Sequence, residues 1–308
     1  MSVTVNEAGR PTETPAAAEA ITRTPIPPAA HPPEPTLTVI EARSGVSFAD
    51  FRELARYREL LYYLVLREMK LRYKQTILGV GWSLFQPLSI MLMFVLFVGR
   101  AGGMSSDPGV IEQFNSYTLF VLAGALPWTF FSTAALNAGH SLLVNERLVT
   151  KIYFPRLMLP LANIGSALID FSVASLLLVA AMIWFQKPPD WTALLLPFIL
   201  ALMVASAAGI GILLAALIVS QRDFRYLLLF GVQLWMLATP CIYDPTPVQN
   251  RFMPLNPAYG LILNFRAALF GQPMHWPELV ISAGVGLFVL AAGLIYFRKV
   301  ERTFADTI

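Results

Sequence analysis

A chain that hydrolyses ATP through a phosphate-binding loop needs Gly-Lys followed by Ser or Thr, so that backbone N–H groups cradle the phosphates while the lysine reaches them. The five lysines here follow Met69, Tyr73, Thr150, Gln186 and Arg298, and none of these is glycine. Metal chemistry is equally poorly supplied. His31, His140 and His275 stand far apart, and the single Cys241 leaves no internal disulfide and no cysteine cluster. Neither paired carboxylates nor a Ser-His-Asp set can be read from the loops. One ionisable group does sit deep within an apolar run: Asp170, flanked by Ser166, Ser172 and Ser175. A lone carboxylate in a membrane segment is a functional suspect by default, because burying it there is costly. A proton relay usually needs several such groups, so the expectation is a carboxylate hydrogen-bonded within a helix bundle.

The elements that must position these residues are membrane spans. Hydrophobic residues make up 56% of the chain and charged ones 13%, against about 25% charged in soluble domains. Six apolar stretches follow one another: Ile77–Val98, Tyr117–Ala138, Leu157–Phe185, Thr192–Val219, Tyr226–Ile242 and Leu279–Phe297. About 20 apolar residues cross a hydrocarbon core. One side of these spans holds eight Lys and Arg from Arg43 to Lys74, three from Arg147 to Arg156, two at Arg222 and Arg225, and three at Arg298, Lys299 and Arg302. The other side holds only Arg100, Lys187, Arg251 and Arg266, sixteen against four. Such a bias orients membrane proteins, with the basic side cytoplasmic. Both termini are therefore expected in the cytoplasm. The net charge of +3 reflects those loops and does not argue for nucleic acid. The opening MSVTVNEAGR lacks the apolar core of a cleaved signal peptide.

Residues 1–37 hold eight of the 23 prolines and too little apolar bulk to bury a core, so a disordered cytoplasmic tail is expected. Residues 47–76 read as an amphipathic interfacial helix region. Ser47 and Asp50 form a capping box, and Phe51, Leu54, Ala55, Leu61, Tyr62 and Val65 recur at helical spacing with basic residues on the other faces. The transmembrane domain takes residues 77–308. Its fifth span is short and ends at Thr239-Pro240-Cys241. The stretch Ala258–Gly271 is amphipathic but too short to cross. Irregular backbone at membrane depth survives only against protein or a water-filled cavity, so residues 241–276 read as a re-entrant gate, with a structured external loop as the alternative. The expected fold is an all-α membrane protein with six transmembrane helices, an N-terminal cytoplasmic interfacial helix and a re-entrant gate hairpin between helices 5 and 6.

Several runs resemble the ABC-2 permeases that export polysaccharides. Tyr57-Arg58-Glu59-Leu60-Leu61, Arg67-Glu68-Met69-Lys70-Leu71-Arg72-Tyr73-Lys74-Gln75-Thr76, Leu78-Gly79-Val80-Gly81-Trp82 and Gln86-Pro87 are similar to that family's approach to its first span. Lys151-Ile152-Tyr153-Phe154-Pro155-Arg156 with Leu159-Pro160 matches the segment between spans two and three. Arg222-Asp223 and Thr239-Pro240-Cys241-Ile242-Tyr243 match the start and exit of span five. Asn256-Pro257, Phe265-Arg266 and Glu301-Arg302-Thr303-Phe304-Ala305-Asp306 complete the resemblance, which covers residues 50–308. The Pro-rich tail and Cys241 depart from the pattern.

The resemblance implies a permease that borrows its ATPase: two permease copies with two nucleotide-binding subunits, ATP and Mg held by the latter and no cofactor in this chain. It implies a lipid-linked polymer as cargo (O-antigen, teichoic acid or capsule, carried on undecaprenyl pyrophosphate) and a place in the cytoplasmic (inner) membrane. Exporters of a small drug or lipid share this architecture and form the alternative. A membrane-embedded glycosyltransferase or acyltransferase would need acidic or His-bearing loops that are lacking here.

Three groups of residues follow as site candidates. Asn145, Glu146, Arg147 and Lys151 lie among Leu142, Leu143 and Leu148 between spans two and three, where an amphipathic helix would dock on an ATPase. Arg67, Lys70, Arg72 and Lys74 cluster before the first span, where lipid headgroups lie; each basic residue near the surface contributes about 1 kcal/mol toward anionic lipid. A plain positive-inside anchor is the other reading of that cluster. Aromatic faces stack on sugar rings without demanding one hydroxyl pattern, and Phe85, Phe94, Trp128, Phe131, Trp235 and Tyr243 are the channel candidates. For each, lipid-facing or core packing remains open. Pro240, Tyr243 and Asp244, with Pro245, Pro247, Pro254 and Pro257 around them, are the gate candidates, since proline removes a helical donor.

Overall fold

A computed structural model of the chain describes residues 56–101, 108–151, 154–221, 223–241, 243 and 252–301. The described residues lie in one unit, Ser44–Ile308. The Pro-rich tail, the Ser47–Asp50 capping box, Arg222, Asp244, Pro245, Pro247 and Arg302 lie outside them. Among the described residues the fold is entirely helical: α1 (Arg58–Tyr73), α2 (Gly81–Ala101), α3 (Pro108–Val144), α4 (Glu146–Lys151), α5 (Met158–Trp184), α6 (Leu196–Ser220), α7 (Phe224–Ala238), α8 (Tyr259–Phe270) and α9 (Trp276–Glu301). Short 3-10 turns at Trp191–Leu195 and Met253–Leu255 lead into α6 and precede α8.

Four helical segments are long and apolar enough to cross a membrane: Asn115–Val144, Met158–Trp184, Trp191–Ser220 and Trp276–Glu301. These correspond to the second, third, fourth and sixth stretches read from the sequence. The first and fifth form shorter apolar helices, Gly81–Phe97 and Phe224–Ala238. The first also starts later than Ile77. Gln75 and Gly79 adopt left-handed φ of 64° and 53°, so the chain turns between α1 and α2 and helix resumes only at Gly81. Gly79 takes that conformation without the Cβ clash other residues meet.

Helix α3 is the hub. Its apolar window is 78% buried, against 33% in α5 and 28% in α9. Leu119, Leu122, Leu126, Phe131, Ala134, Ala138 and Leu142 all face protein. Helices α5 and α9 instead carry outward Leu176, Ile183, Trp184, Val280, Phe288 and Ile295, the composition expected of a surface that meets lipid or another apolar partner. Helix α1 lies along α5, with Leu64 buried and Val65 over Gly165.

The most extensive helix contact joins α6 to α9. Ser206, Gly209 and Leu213 meet Gly286, Leu290 and Gly293 there. A Cβ on Gly209 would lie 2.5 Å from the Leu290 backbone nitrogen, and one on Gly293 would lie 2.8 Å from the Gly209 carbonyl oxygen. Small residues let membrane helices approach closely enough for dispersion to hold them, since lipid offers no hydrophobic drive. Gly209→Leu should therefore force α6 and α9 apart at a cost of at least ~1–3 kcal/mol. Detergent-solubilised variant should show a lower thermal midpoint than wild type; an unchanged midpoint would mean the two helices are not held by this seam.

Candidate functional site

The ends of α1 and the start of α2 meet α3 and α5 around a cavity of about 680 Å³. Its lining is both aromatic and polar. Trp82, Phe85 and Gln86 come from α2, Thr129, Thr133 and Asn137 from α3, and Phe171 from α5. At one wall Arg72 of α1 forms an ion pair with Asp170 of α5. The neighbouring Tyr73 hydroxyl donates to the other Asp170 oxygen at 2.5 Å. Tyr73 lies before the first apolar helix; burial first, then the Asp170 carboxylate, pushes its phenol up to about 12, so it remains a donor throughout the physiological range. Asp170 is thus hydrogen-bonded inside the bundle, as expected. Its cationic partner comes from the cluster before the first span, 98 residues away in sequence.

The two other basic-side groups also meet. Arg67 donates to the Asn145 Oδ1 at 2.8 Å, and Asn145 Nδ2 donates to the Ser141 carbonyl at 2.9 Å. Asn145 is buried and stands at the break between α3 and α4. The segment around Asn145, expected to form one short amphipathic helix, is therefore split: residues up to Val144 complete α3, and Glu146–Lys151 form α4. Leu142 and Val149 are buried while Glu146 and Arg147 are exposed, and the backbone of Lys151 ends α4. Lys70 and Lys74 are also exposed. Arg67 and Asn145, expected from the sequence to belong to two separate groups, thus meet in one contact between α1 and the α3–α4 break.

At the end of α7 the backbone is tied by side chains. The Thr239-Pro240-Cys241 carbonyls would be left without helical donors there. Arg266 of α8, only 4% exposed, donates to the Pro240 carbonyl at 3.3 Å and to the Cys241 carbonyl. Its guanidinium lies 3.8 Å from the Phe120 ring centroid, a cation–π contact. Gly124 leaves room for it: a Cβ at Gly124 would fall on the Arg266 guanidinium and the Cys241 carbonyl. Asn256 accepts from Trp235 Nε1 at 3.0 Å and donates to Thr239 Oγ1 at 2.7 Å. Helix α8 has 12 residues, about 18 Å at 1.5 Å per residue, too short to cross. It is nonetheless largely buried, and it ends at Gly271 with a left-handed φ of 67°. Asn264 anchors the following turn, bonding the Gly260 carbonyl and both the N–H and carbonyl of His275. The charge bias puts Arg266 among the outer-side residues and the resemblance includes it beside Phe265, but neither marks it as a partner for these carbonyls.

The aromatic candidates divide by environment. Phe85 is 54% exposed and meets Trp82 edge-on at 5.4 Å beside the cavity. Trp128 and Phe131 are buried and pack edge-on against Trp235 at 6.1 and 5.3 Å; neither has an open face in this conformation. Phe94 is half-buried against the core. Tyr243 is half-exposed, its hydroxyl donating to the Leu237 carbonyl at 2.9 Å.

Comparison with known proteins locates this arrangement in a family. The ABC-2 type transporter pattern matches residues 59–270, a range that runs from α1 through α8. Among curated proteins, the O-antigen export system permease protein RfbA of Myxococcus xanthus is 27% identical over 263 residues, spanning 83% of this chain and 98% of the relative. Two O-antigen export system permease proteins RfbA of Klebsiella pneumoniae are 26% and 25% identical, each over 81% of this chain and 95% of their own length. The matched range takes in the cavity, the Arg67–Asn145 contact and the buried α8, and the chain belongs to the ABC-2 type transporter family.

Proposed function

We propose that this chain is the membrane subunit of an ATP-driven exporter of lipid-linked O-antigen polysaccharide in the cytoplasmic (inner) membrane. The observation that carries the reading is the near full-length match to three relatives, each named as an O-antigen export permease. A cavity lined by Trp82, Phe85 and Phe171 beside polar groups supports it, since such walls can bind sugars without fixing one hydroxyl pattern. In this reading α2, α3, α5, α6, α7 and α9 are the six spans, and α1 lies at the cytoplasmic interface. The domain plan is a tail at 1–37, an interfacial region at 47–76 and a transmembrane domain at 77–308, with both termini cytoplasmic.

Helix α8 with its flanking turns is the re-entrant hairpin, and Pro240 and Tyr243 sit at its gate; the third expected gate residue, Asp244, lies outside the described residues. Glu146, Arg147 and Lys151, steadied by Asn145, receive the ATPase subunit, which binds ATP and Mg. Two copies of each subunit make the transporter. Arg67, Lys70, Arg72 and Lys74 attract the pyrophosphate of the undecaprenyl carrier. The phosphate-binding Gly-Lys motif is lacking in this sequence, which is why a separate ATPase is required.

Deleting the gene in its native host tests the reading. The expected result is loss of the surface polymer with lipid-linked polymer accumulating on the cytoplasmic face, both restored by the wild-type chain. Surface polymer at its normal level would instead favour export of a small lipid or drug.

A further inference from the structure

The Arg72–Asp170 pair sits among apolar helices, yet it is not sealed. The two side chains keep 27% and 15% exposure and both line the cavity. A pair that served stability alone would gain from closure and full partnering, because opposite charges in apolar surroundings repay their desolvation only when every lone pair and proton is met. Asp170 also holds a second donor in Tyr73, at 2.5 Å on its other oxygen. The carboxylate can release Arg72 and still keep a hydrogen bond. The same cavity is lined by Trp82, Phe85 and Gln86 and by Thr133 and Asn137. That set joins one planar cation to flat apolar faces and neutral hydrogen-bonding groups, which is the chemistry of a sugar diphosphate.

We propose that Asp170 is a resident anion for Arg72, and that cargo loading is an exchange in which the diphosphate of a lipid-linked glycan displaces the carboxylate while its first sugar lies against Phe85 and Trp82. The inference rests on the reading of the protein as a glycan-lipid exporter. Guanidinium binds phosphate bidentately, and charge-assisted contacts of this kind are roughly twice as strong as neutral ones. A diphosphate brings more negative charge than one carboxylate and can win the exchange; an uncharged lipid cannot. Asp170 thereby acts as a selectivity filter, raising the threshold that any headgroup must exceed before Arg72 turns to it. The cavity, about 680 Å³, falls within the roughly 300–1,000 Å³ of sites that enclose small organic ligands, enough for a headgroup with the first sugar.

The test uses the permease assembled with its ATPase in lipid nanodiscs. The probe is a polyprenyl pyrophosphate-linked oligosaccharide, with inorganic pyrophosphate as competitor. Asp170→Asn removes the competing anion and should tighten probe binding about tenfold, the equivalent of one charge-assisted contact. The exchanged pair, Arg72→Asp with Asp170→Arg, keeps the bridge and should hold a near wild-type thermal midpoint while binding at least about tenfold more weakly. This second variant decides the matter if Asp170→Asn fails to assemble. A folded Asp170→Asn protein that binds no more tightly, or an exchanged pair that binds like wild type, would make the bridge purely structural and overturn the proposal. Equal occupancy by inorganic pyrophosphate and probe would overturn the lipid assignment. Absence of probe binding to wild type, in contrast, would overturn the exporter reading itself.

Discussion

Gly124→Ala should make the resting transporter leak and lower its stability, and Arg266→Leu should do so more severely. The reason is local and steric. Gly124 has no Cβ, and the Arg266 guanidinium and Cys241 carbonyl occupy the space one would fill. A single methyl at that position drives Arg266 away from the Pro240 and Cys241 carbonyls that it holds. In a membrane there is no water to take over, and each buried polar group left without a partner costs ~1–3 kcal/mol. Arg266→Leu orphans both carbonyls at once. If α8 and its turns form the barrier of the proposed gate, losing this staple loosens it. Ion flux across proteoliposomes without ATP should rise for both variants, with thermal midpoints falling in the order wild type, Gly124→Ala, Arg266→Leu. A Gly124→Ala protein as tight and as stable as wild type would show that the staple has no part in closing the membrane.

Replacing Glu146 and Arg147 together with alanine is expected to stop export while ATP hydrolysis continues. Both side chains are exposed on α4, so their loss removes no packing. Beneath them Leu142, Asn145 and Val149 are buried, and Arg67 braces Asn145 at 2.8 Å. The helix is therefore a firm platform with a replaceable surface, the arrangement suited to a docking contact. The few hot-spot residues at the centre of an interface cost about 2 kcal/mol or more when truncated, which is ~30-fold in affinity. Export per ATP hydrolysed should fall at least ~tenfold, with membrane insertion and thermal midpoint near wild type. Normal export by the stably inserted double variant would remove α4 from the coupling path.

Much of this architecture was legible because membrane burial writes itself in composition. The runs that became α3, α5, α6 and α9 are long and apolar enough to stand out from any window. Their ends were less legible. The start of α2 at Gly81 depends on left-handed Gln75 and Gly79, and hydropathy does not sense backbone conformation. The break at Asn145 was hidden because Ser141, Leu142 and Leu148 continue the helical pattern across it. The pairing of Arg72 with Asp170 was half visible: a lone buried carboxylate must find donors, but its partner is 98 residues distant. Arg266 was obscured by the charge bias that placed it on the outer side. The signal that could have found it was an arginine between Phe265 and Ala267 in an otherwise apolar stretch, close in the fold to a proline-broken helix end that needs donors. Trp128, Phe131 and Trp235 could not be sorted from Phe85 by sequence, since core and cavity draw on the same residues.

The most direct measurement is transport by the purified permease and its ATPase in proteoliposomes that carry lipid-linked O-polysaccharide on the side where ATP is supplied. The account predicts that the polymer crosses to the opposite leaflet only when ATP is hydrolysed, that omitting this chain abolishes crossing, and that omitting the ATPase does the same. Hydrolysis that proceeds in the complete system with the polymer left on its original side, while a short lipid or drug is moved instead, would contradict it.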